Sequence, residues 1–437
     1  MKLFVLSLAS LMLVSYAPAQ VDREQQVPHF NHVLILFQEN RSTDNFFQDP
    51  VLIKSGADIV KFGKNSKGLN VPLTPVGLVS NYDLKHSHQS FVDEFDGGKM
   101  DGADKVGVTC NKGAKNCPPE NPQFKYVKPS DLQPYFQLAE QYTFGDHMFQ
   151  TNQGPSFPAH QYIIAGTSAP TATSDLFAAE NPFGIFNSGA ATGCTAPKGE
   201  FVWLIDPEGK ESSKQYPCFE HKALTDLLDD AGLSWAYYTP QVNTIWTGPN
   251  AIRHIRFGKD WHNVFANPKR VLSAISDHKL PAVTWVMPPG YASDHAGDNN
   301  GTGPSWVASI VNAIGISDYW NDTVIIVTWD DWGGWYDHVA PSIVNSYEYG
   351  FRVPLLVIAK TAKTGYISHV THDFGSILKF VESNWNLPSL GYADQYADDL
   401  SDCFDPGQRH AFVKIRAPHD AQFFLNNKLP LGAPDND

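Results

Sequence analysis

The stretch from Thr323 to His338 restricts the fold of this chain more than any other, and it reads T-V-I-I-V-T-W-D-D-W-G-G-W-Y-D-H. Its first residues are apolar or β-branched, which predicts a strand buried on both faces, as in the middle of a parallel sheet. The strand ends in Asp330 and Asp331, and the glycines after them predict a turn towards Asp337. Ligands of open α/β sheets gather at the carboxyl ends of strands, and adjacent acids there suit a hard divalent cation. The alternative interpretation is a strand that ends in a solvated acidic turn.

A second apolar run, His32 to Phe37, ends in the same way. Glu39 and Asn40 follow it, and both side chains offer oxygen ligands to a cation. The same pair is also compatible with the N-terminal cap of a helix. Asp294 and His295 come after a further apolar run. Strand ends of this kind, distant in the sequence, favour a shared site over a coincidence.

Ser156 is the candidate nucleophile of the sequence. It follows a Gly-Pro turn and precedes Pro158, a residue type favoured in the first turn of a helix. We therefore expect Ser156 near a helix N-terminus, where N–H groups and the helix dipole favour a serine alkoxide or a bound phosphate. The alternative is an ordinary serine cap.

The N-terminal segment predicts export from the cell. Residues 1–19 have a lysine, an apolar run and a small-residue A-P-A site, the pattern of a signal peptide cleaved near Ala19. No later segment has the apolar length of a membrane span. We therefore expect a secreted or periplasmic protein without a stable membrane anchor.

The five cysteines fit an oxidising compartment. Their spacing lacks the close pairs of a structural zinc site. Sequence proximity predicts two bridges and one free thiol: Cys110 with Cys117, Cys194 with Cys218, and Cys403 alone.

The formal net charge of −14 argues against a nucleic-acid partner. Binding to a phosphate backbone requires clustered Lys and Arg, and the sequence has no basic run. A small phosphorylated substrate stays compatible with this charge, because a bound metal ion inverts the local field.

Helical and strand patterns alternate along most of the chain, which predicts an α/β fold with a mostly parallel sheet covered on both faces. Residues 20–437 are expected to form a single domain, with loop-rich insertions near 103–129 and 167–222. The predicted helices are Asp131–Thr143, Leu224–Ala231, Ser305–Tyr319 and Phe374–Asn384. The further predicted strands are Ser234–Tyr238, Ala282–Met287 and Val353–Ala359.

Several motifs in one order resemble a known family, the bacterial phosphoesterases that include acid phosphatase A and the non-zinc-type phospholipases C. The resemblance covers roughly residues 28–406. The motifs are E-N-R-S-T-D-N-F-F from Glu39, D-L-K-H-S from Asp83, Q-G-P-S-F-P from Gln153, S-D-H from Ser293, T-W-D-D-W-G-G-W-Y-D-H-V from Thr328 and G-F-R-V-P-L-L-V-I from Gly350.

The resemblance implies an alkaline-phosphatase-like three-layer α/β/α sandwich and a role for each matched residue. One divalent metal ion of uncertain identity is implied, with Ser156 as the nucleophile and its oxygen on the metal. Contact with the phosphoryl group or protonation of the leaving group is implied for three histidines, His86, His295 and His338, with Asp294 beside them. The implied metal ligands, besides Ser156, are Glu39, Asn40, Asp330 and Asp331.

Two details of the motifs bear on the reaction. The family often has Asn four residues after the nucleophile, where this chain has His160, and the role of His160 is left open. The nucleophile is Ser in the acid phosphatase branch and Thr in the phospholipase branch, so Ser156 favours the former. S-x-P also resembles the sulfatase signature, but His160 stands where that signature has Arg.

We therefore expect a secreted, metal-dependent hydrolase of phosphate monoesters that works through a phosphoserine. The alternative is a phospholipase C that cleaves phosphatidylcholine-like diesters. Four aromatic residues beside the acids are candidates for a choline pocket or for simple packing: Trp329, Trp332, Trp335 and Tyr336. A catalytically inactive ligand-binding protein is the third hypothesis.

Overall fold

The computed structural model describes residues 28–183 and 191–432 of the 437-residue chain. Within them, eight strands form the main sheet. In chain order these are β1 His32–Gln38, β2 Thr143–Gly145, β3 Trp235–Thr239, β4 Val264–Ala266, β5 Val283–Val286, β6 Thr323–Trp329, β7 Leu355–Ala359 and β8 Tyr366–Ser368.

The sheet is mostly parallel, as the alternating patterns predict. Its order is β4-β3-β5-β1-β6-β7-β2-β8, and β7 alone runs antiparallel to both of its neighbours. Strands β1 and β6 lie side by side near the middle, in register from His32 opposite Thr323 to Gln38 opposite Trp329. Every residue of β6 is buried, which confirms the interpretation of that apolar run.

Helices cover both faces of the sheet, so the fold is the expected three-layer α/β/α sandwich. Phe37 on β1 contacts His160 and Phe374 on one face, whereas Trp329 on β6 contacts Tyr135 on the other. The α-helices are α1 Thr43–Phe46, α2 Pro50–Lys54, α3 His88–Phe95, α4 Gln133–Gln141, α5 Ser156–Ala165, α6 Leu224–Asp230, α7 Arg253–Phe257, α8 Arg270–Ser276, α9 Gly303–Gly315, α10 Phe374–Trp385 and α11 Ala421–Asn426.

The predicted elements recur with shifted ends. The helix predicted over Asp131–Thr143 ends at Gln141, and Thr143 already belongs to β2. The sequence patterns also did not predict β4 and β8, because strands of three residues are too short to show a periodic pattern.

The two regions predicted as insertions contain small sheets and both disulfides. Around residues 103–129, Val108–Cys110 pairs with Tyr82–Leu84, and Lys125–Val127 pairs with Thr74–Val76. Between residues 167 and 222, a three-stranded antiparallel sheet forms from Phe177–Ala178, Val202–Ile205 and Glu211–Gln215. The bridges are the expected ones, Cys110–Cys117 and Cys194–Cys218, and Cys403 is free and buried.

The signal peptide predicted at residues 1–19 lies outside the described residues. Among the residues that are described, no helix combines the length and the apolar character needed to cross a bilayer.

Candidate active site

The candidate site lies where the two central strands end. Because β1 and β6 pair with Gln38 opposite Trp329, the residues that follow, Glu39 and Asp330, leave the sheet side by side. Both carboxylates are fully buried, as is that of Asp331. The register of two parallel neighbours therefore brings together acids that are far apart in the sequence.

The loops after these strands fix each other. Asn40 has a φ of 55°, a left-handed conformation that turns the chain at the strand end. Its N–H donates to Asp330 Oδ1 over 3.2 Å, and the Arg41 N–H donates to the carbonyl oxygen of Asp331 over 2.9 Å. A Cβ on Gly333 would lie 2.4 Å from the Asn40 carbonyl oxygen, so only glycine permits this approach.

The side-chain amide of Asn40 connects the carboxylates to two histidines. One end of the amide lies 2.9 Å from Glu39 Oε2 and 3.1 Å from Asp330 Oδ1. The other end lies 2.9 Å from His86 Nε2 and 3.3 Å from His295 Nε2. Four of the predicted site residues thus meet at this one side chain.

The orientation of the Asn40 amide depends on the charge of the site. Nδ1 of His86 and of His295 lies 2.8 Å and 2.7 Å from the carbonyl oxygens of Leu84 and Ala296, so each Nδ1 carries a proton and donates it. In the structure the amide nitrogen faces the histidines, which leaves both rings neutral and turns the amide oxygen to the carboxylates. The Asn40 amide oxygen then faces Glu39 Oε2 and Asp330 Oδ1, and three oxygens that face one another in a buried site require a cation between them. In the reverse orientation the amide nitrogen would donate to Glu39 and Asp330 without a cation, and the oxygen would accept from His86 and His295, both of which would have to be imidazolium.

This donor set fits a divalent cation. Carboxylate and amide oxygens are the ligands that hard cations take, and ligands about 2.1 Å from an octahedral ion lie about 3.0 Å apart. The Asn40 oxygen is 2.9 Å from one carboxylate oxygen and 3.1 Å from another. The residues that would hold the ion are the ones implied by the resemblance, Glu39, Asn40, Asp330 and Asp331, together with Ser156.

Ser156 is the first residue of α5, as predicted from its Gly-Pro turn. Its hydroxyl is buried and lies 3.5 Å from both Glu39 Oε2 and Asp331 Oδ2. Asn181 Oδ1 accepts the adjacent Phe157 N–H over 2.9 Å, so the insertion after α5 caps the helix that presents Ser156. Sequence reasoning missed this cap, because nothing in the loop composition specifies its partner.

His160, whose role the motifs left open, lies in the same cluster. Its Nε2 is 3.6 Å from Glu39 Oε1 and 3.7 Å from Asp330 Oδ2, and the ring is fully buried. Residues four apart share one face of a helix, so His160 lies one turn after Ser156 and faces the same way. That spacing is the signal that could have found it.

Two buried groups donate to the carboxylate of Asp294, which precedes His295 in the chain. Its Oδ2 accepts from the Tyr135 hydroxyl over 2.7 Å and from Trp329 Nε1 over 3.1 Å. Burial raises the pKa of this carboxyl to about 7, against the opposing effect of those donors and of Arg41. The implied position of Asp294 beside the substrate-binding histidines stays a prediction.

Both ring nitrogens of His338 contact carboxylates that the sequence did not predict as site residues. Its ring contacts Asp44 Oδ2 at 2.7 Å through Nδ1 and Asp58 Oδ1 at 3.1 Å through Nε2. Arg352 lies alongside and forms a two-pronged pair with Asp337 at 2.8 Å and 3.2 Å. His338 thus belongs to an ionic cluster with these residues, and its implied contact with the phosphoryl group stays a prediction.

A comparison with protein-family models identifies the family of this chain. The model of the Phosphoesterase family matches residues 30–388. The chain belongs to this family. The match confirms the resemblance drawn from the motifs and places the chain in a class of hydrolases that act on phosphate esters.

Relatives of this phosphoesterase are named phospholipases C. The non-hemolytic phospholipase C of Burkholderia pseudomallei is 22% identical over 81% of this chain and 55% of its own length. Phospholipase C B of Mycobacterium tuberculosis is 23% identical over 86% of this chain and 77% of its own length. The hemolytic phospholipase C of Pseudomonas aeruginosa is 23% identical over 84% and 54%. The chain thus spans between about half and three quarters of the length of these relatives.

Solved structures with a similar arrangement include a protein in the alkaline phosphatase superfamily from Vibrio parahaemolyticus. It has a TM-score of 0.38 and 12% identity, and the match covers 85% of this chain and 71% of that one. Murine ectonucleotide pyrophosphatase/phosphodiesterase 5 has a TM-score of 0.38 and 8% identity, over 62% of this chain and 94% of that one.

The aromatic residues beside the acids of this phosphoesterase are all buried. Their ring partners are Phe46, Phe47 and Tyr135 for Trp329, Phe91, Phe351 and His86 for Trp332, Tyr82 for Trp335, and Phe124 for Tyr336. Trp332 thus contacts the predicted site residue His86 edge to face, whereas the other three rings pack against residues outside the predicted site.

Proposed function

We propose that this phosphoesterase is an exported, metal-dependent phosphatase that hydrolyses phosphate monoesters through a phosphoserine. The observation that carries the proposal is the position of the Ser156 hydroxyl. Ser156 begins a ten-residue helix, and its hydroxyl oxygen lies 3.5 Å from one carboxylate oxygen of Glu39 and from one of Asp331, which follow two different strands. A structural serine cap does not require a cluster of buried acids, whereas a nucleophile beside a cation does.

The reaction takes place in two displacements at phosphorus. In the first, the bond from Ser156 Oγ to phosphorus forms as the bond from phosphorus to the leaving oxygen breaks, with a net proton transfer from the serine to the alcohol. In the second, water attacks phosphorus, and free serine and inorganic phosphate are released. The bound cation supplies positive charge that favours the serine alkoxide and the anionic transition state. The N-terminus of α5 adds its dipole to the same point.

His86 and His295 are the candidates for the donor to the leaving oxygen. Their Nδ1 protons are used by backbone carbonyls, and both Nε2 atoms face the Asn40 amide at the site. The resemblance to the acid phosphatase branch leads us to expect turnover to be highest below about pH 7.

Two observations favour a monoester over a choline diester. Serine at the nucleophile position resembles the acid phosphatase branch, and the aromatic residues beside the acids are buried in separate packing clusters. Recognition of a choline group requires aromatic faces that are open to it. The phospholipase names of the relatives favour the second candidate, a phospholipase C.

A comparison of two chromogenic substrates tests the proposal. We expect a higher kcat/KM on para-nitrophenyl phosphate than on its phosphorylcholine diester. Brief incubation with a labelled monoester at low pH, followed by an acid quench, is expected to leave label on Ser156. A preference for the choline diester would move the assignment to phospholipase C, and label on a histidine would contradict the phosphoserine.

Two serine variants complete the test. Ser156→Ala is expected to lose turnover and label, whereas Ser168→Ala, a buried serine that donates to the Ala178 carbonyl, is expected to keep both. Wild-type protein that binds phosphate but turns over neither substrate would indicate a ligand-binding protein.

A further inference from the structure

His160 is a buried histidine that the proposed reaction does not use. Its Nδ1 lies 3.2 Å from the Tyr237 hydroxyl, and that hydroxyl lies 2.7 Å from the Trp246 carbonyl oxygen. A carbonyl can only accept, so the Tyr237 hydroxyl donates to it. The hydroxyl oxygen therefore accepts from His160, which fixes the ring proton on Nδ1.

The other ring nitrogen then has a lone pair directed at negative charge. Nε2 lies 3.6 Å from Glu39 Oε1 and 3.7 Å from Asp330 Oδ2. If Nε2 carried a proton, it would donate to one of these oxygens at about 2.7–3.2 Å, which is shorter than either separation. A lone pair that faces carboxylate oxygens in a fully buried site is unfavourable unless positive charge lies between them.

A proton cannot fill this gap as well as a cation can. If Glu39 or Asp330 were protonated and donated to Nε2, the two heavy atoms would approach to about 2.7–3.0 Å. The observed separations of 3.6 Å and 3.7 Å are longer than that. Ligands about 2.1 Å from one octahedral ion lie about 3.0 Å apart when adjacent and about 4.2 Å apart when opposite, and the observed separations fall between these values.

We infer that His160 Nε2 is a nitrogen ligand of the cation held by Glu39 and Asp330. This role of His160 rests on the cation of the proposed function and does not depend on the phosphoserine. The Tyr237 hydroxyl then acts as a positioning group, since a ligating histidine commonly uses its other N–H to fix the ring. Imidazole suits borderline ions such as Zn²⁺, whereas Mg²⁺ and Ca²⁺ are bound through oxygen. The site therefore selects Zn²⁺-like ions over Mg²⁺ and Ca²⁺.

Electron paramagnetic resonance of the Cu²⁺-loaded protein tests this ligand without any substrate. Metal-free wild type with less than one equivalent of Cu²⁺ is expected to show hyperfine coupling to an imidazole nitrogen, and His160→Asn is expected to lose it. The same substitution is expected to weaken Zn²⁺ binding by at least roughly 10²-fold and to change Mg²⁺ binding little. Tyr237→Phe is expected to weaken Zn²⁺ binding by roughly 10-fold.

Two control variants identify the source of the nitrogen signal. His221→Asn removes a buried histidine outside the site, and His369→Asn removes one from the surface group of Asp146, His147 and His369. Both are expected to keep the coupling. A coupling that disappears in His369→Asn and survives in His160→Asn would overturn the inference.

The wild-type spectrum tests the inference even if His160→Asn does not fold, because absence of nitrogen coupling overturns it. His160→Gln gives a second variant. Turnover of para-nitrophenyl phosphate, measured on the same samples, separates this inference from the proposed function. Nitrogen coupling without turnover would support His160 as a ligand and contradict the phosphatase. Turnover without nitrogen coupling would do the reverse.

Discussion

The loops after β1 and β6 each contribute to two buried acidic clusters, and the clusters differ in where their positive charge comes from. The cation cluster contains Glu39, Asp330 and Asp331, whose described neighbours include an amide, a serine hydroxyl and a neutral imidazole. The arginine cluster contains Asp44, in the helix α1 that follows β1, and Asp337, a few residues after the end of β6. There the guanidinium of Arg352 and the ring of His338 contact the acids.

The comparison shows how similar sequence patterns give different roles. Buried carboxylates need a partner of opposite charge, because the desolvation penalty is otherwise several kcal/mol per ion. The arginine cluster carries its own countercharge and is complete as the chain folds, which suits a structural role. The cation cluster is the one that we propose to hold a bound ion, and a bound ion can act on a substrate. Function is thus expected at the cluster where this ion would bind.

The largest expected effect is on stability, from Arg352→Met in the arginine cluster. Removing the guanidinium leaves Asp44 and Asp337 buried without their cation, which typically costs about 3–5 kcal/mol. Denaturant unfolding with and without bound metal checks this, and added metal is not expected to restore the loss. Arg253→Met, an exposed control, is expected to change stability by about 0.5 kcal/mol or less. Equal effects of the two substitutions would contradict the structural role.

The next effect is on catalysis, from Asp331→Asn in the cation cluster. We expect kcat/KM to fall on the order of 10²-fold or more, because charge stabilisation by a metal is worth several kcal/mol. The stability of the metal-free protein is not expected to fall, since the substitution removes one of several like charges. Asp337→Asn is the matched control, and it is expected to lower stability because it breaks the pair with Arg352. Stability losses of the same size in both variants would remove the distinction between the clusters.

The smallest expected effect is on the pH dependence of stability, through the contribution of His338 to the free energy of unfolding. Burial alone would lower the pKa of His338, but the hydrogen bond to Asp44 and the nearby carboxylates outweigh it and raise the pKa to about 9. The folded protein therefore holds the proton more tightly than the unfolded chain does. The stabilisation is full below about pH 6.5 and is lost as the pH rises through about 9.

Denaturant unfolding of wild type and of His338→Asn, measured from about pH 6.5 to about pH 9, tests this contribution of His338 to stability. The difference in unfolding free energy is expected to be roughly 1 kcal/mol at the acid end, after solvent screening, and to shrink towards zero at the alkaline end. Turnover at the acid end is expected to stay close to that of wild type. A large loss of turnover in His338→Asn would instead support a role of His338 in the reaction.

The sequence predicted those parts of the site that depend on neighbouring strands. Glu39 and Asp330 follow adjacent parallel strands, so the burial pattern of the runs was enough to bring them together. Ser156 was predictable because its turn and helix start are local. His338 was not, because its position depends on Asp58 and Arg352, which come from loops without a periodic pattern. The spacing of four residues predicts His160 on the same helix face as Ser156, but its contacts with Glu39 and Asp330 depend on how α5 packs against the strand ends, which the spacing does not give.

The most direct test of the account is the metal content of the purified protein, measured alongside activity before and after exhaustive chelation. We predict one divalent ion per chain, loss of turnover when the ion is removed, and recovery of turnover when the ion is returned. The melting temperature is expected to fall with the ion and to recover with it, because an ion that binds the folded chain stabilises it. Full turnover of para-nitrophenyl phosphate by protein without detectable metal would contradict the central claim.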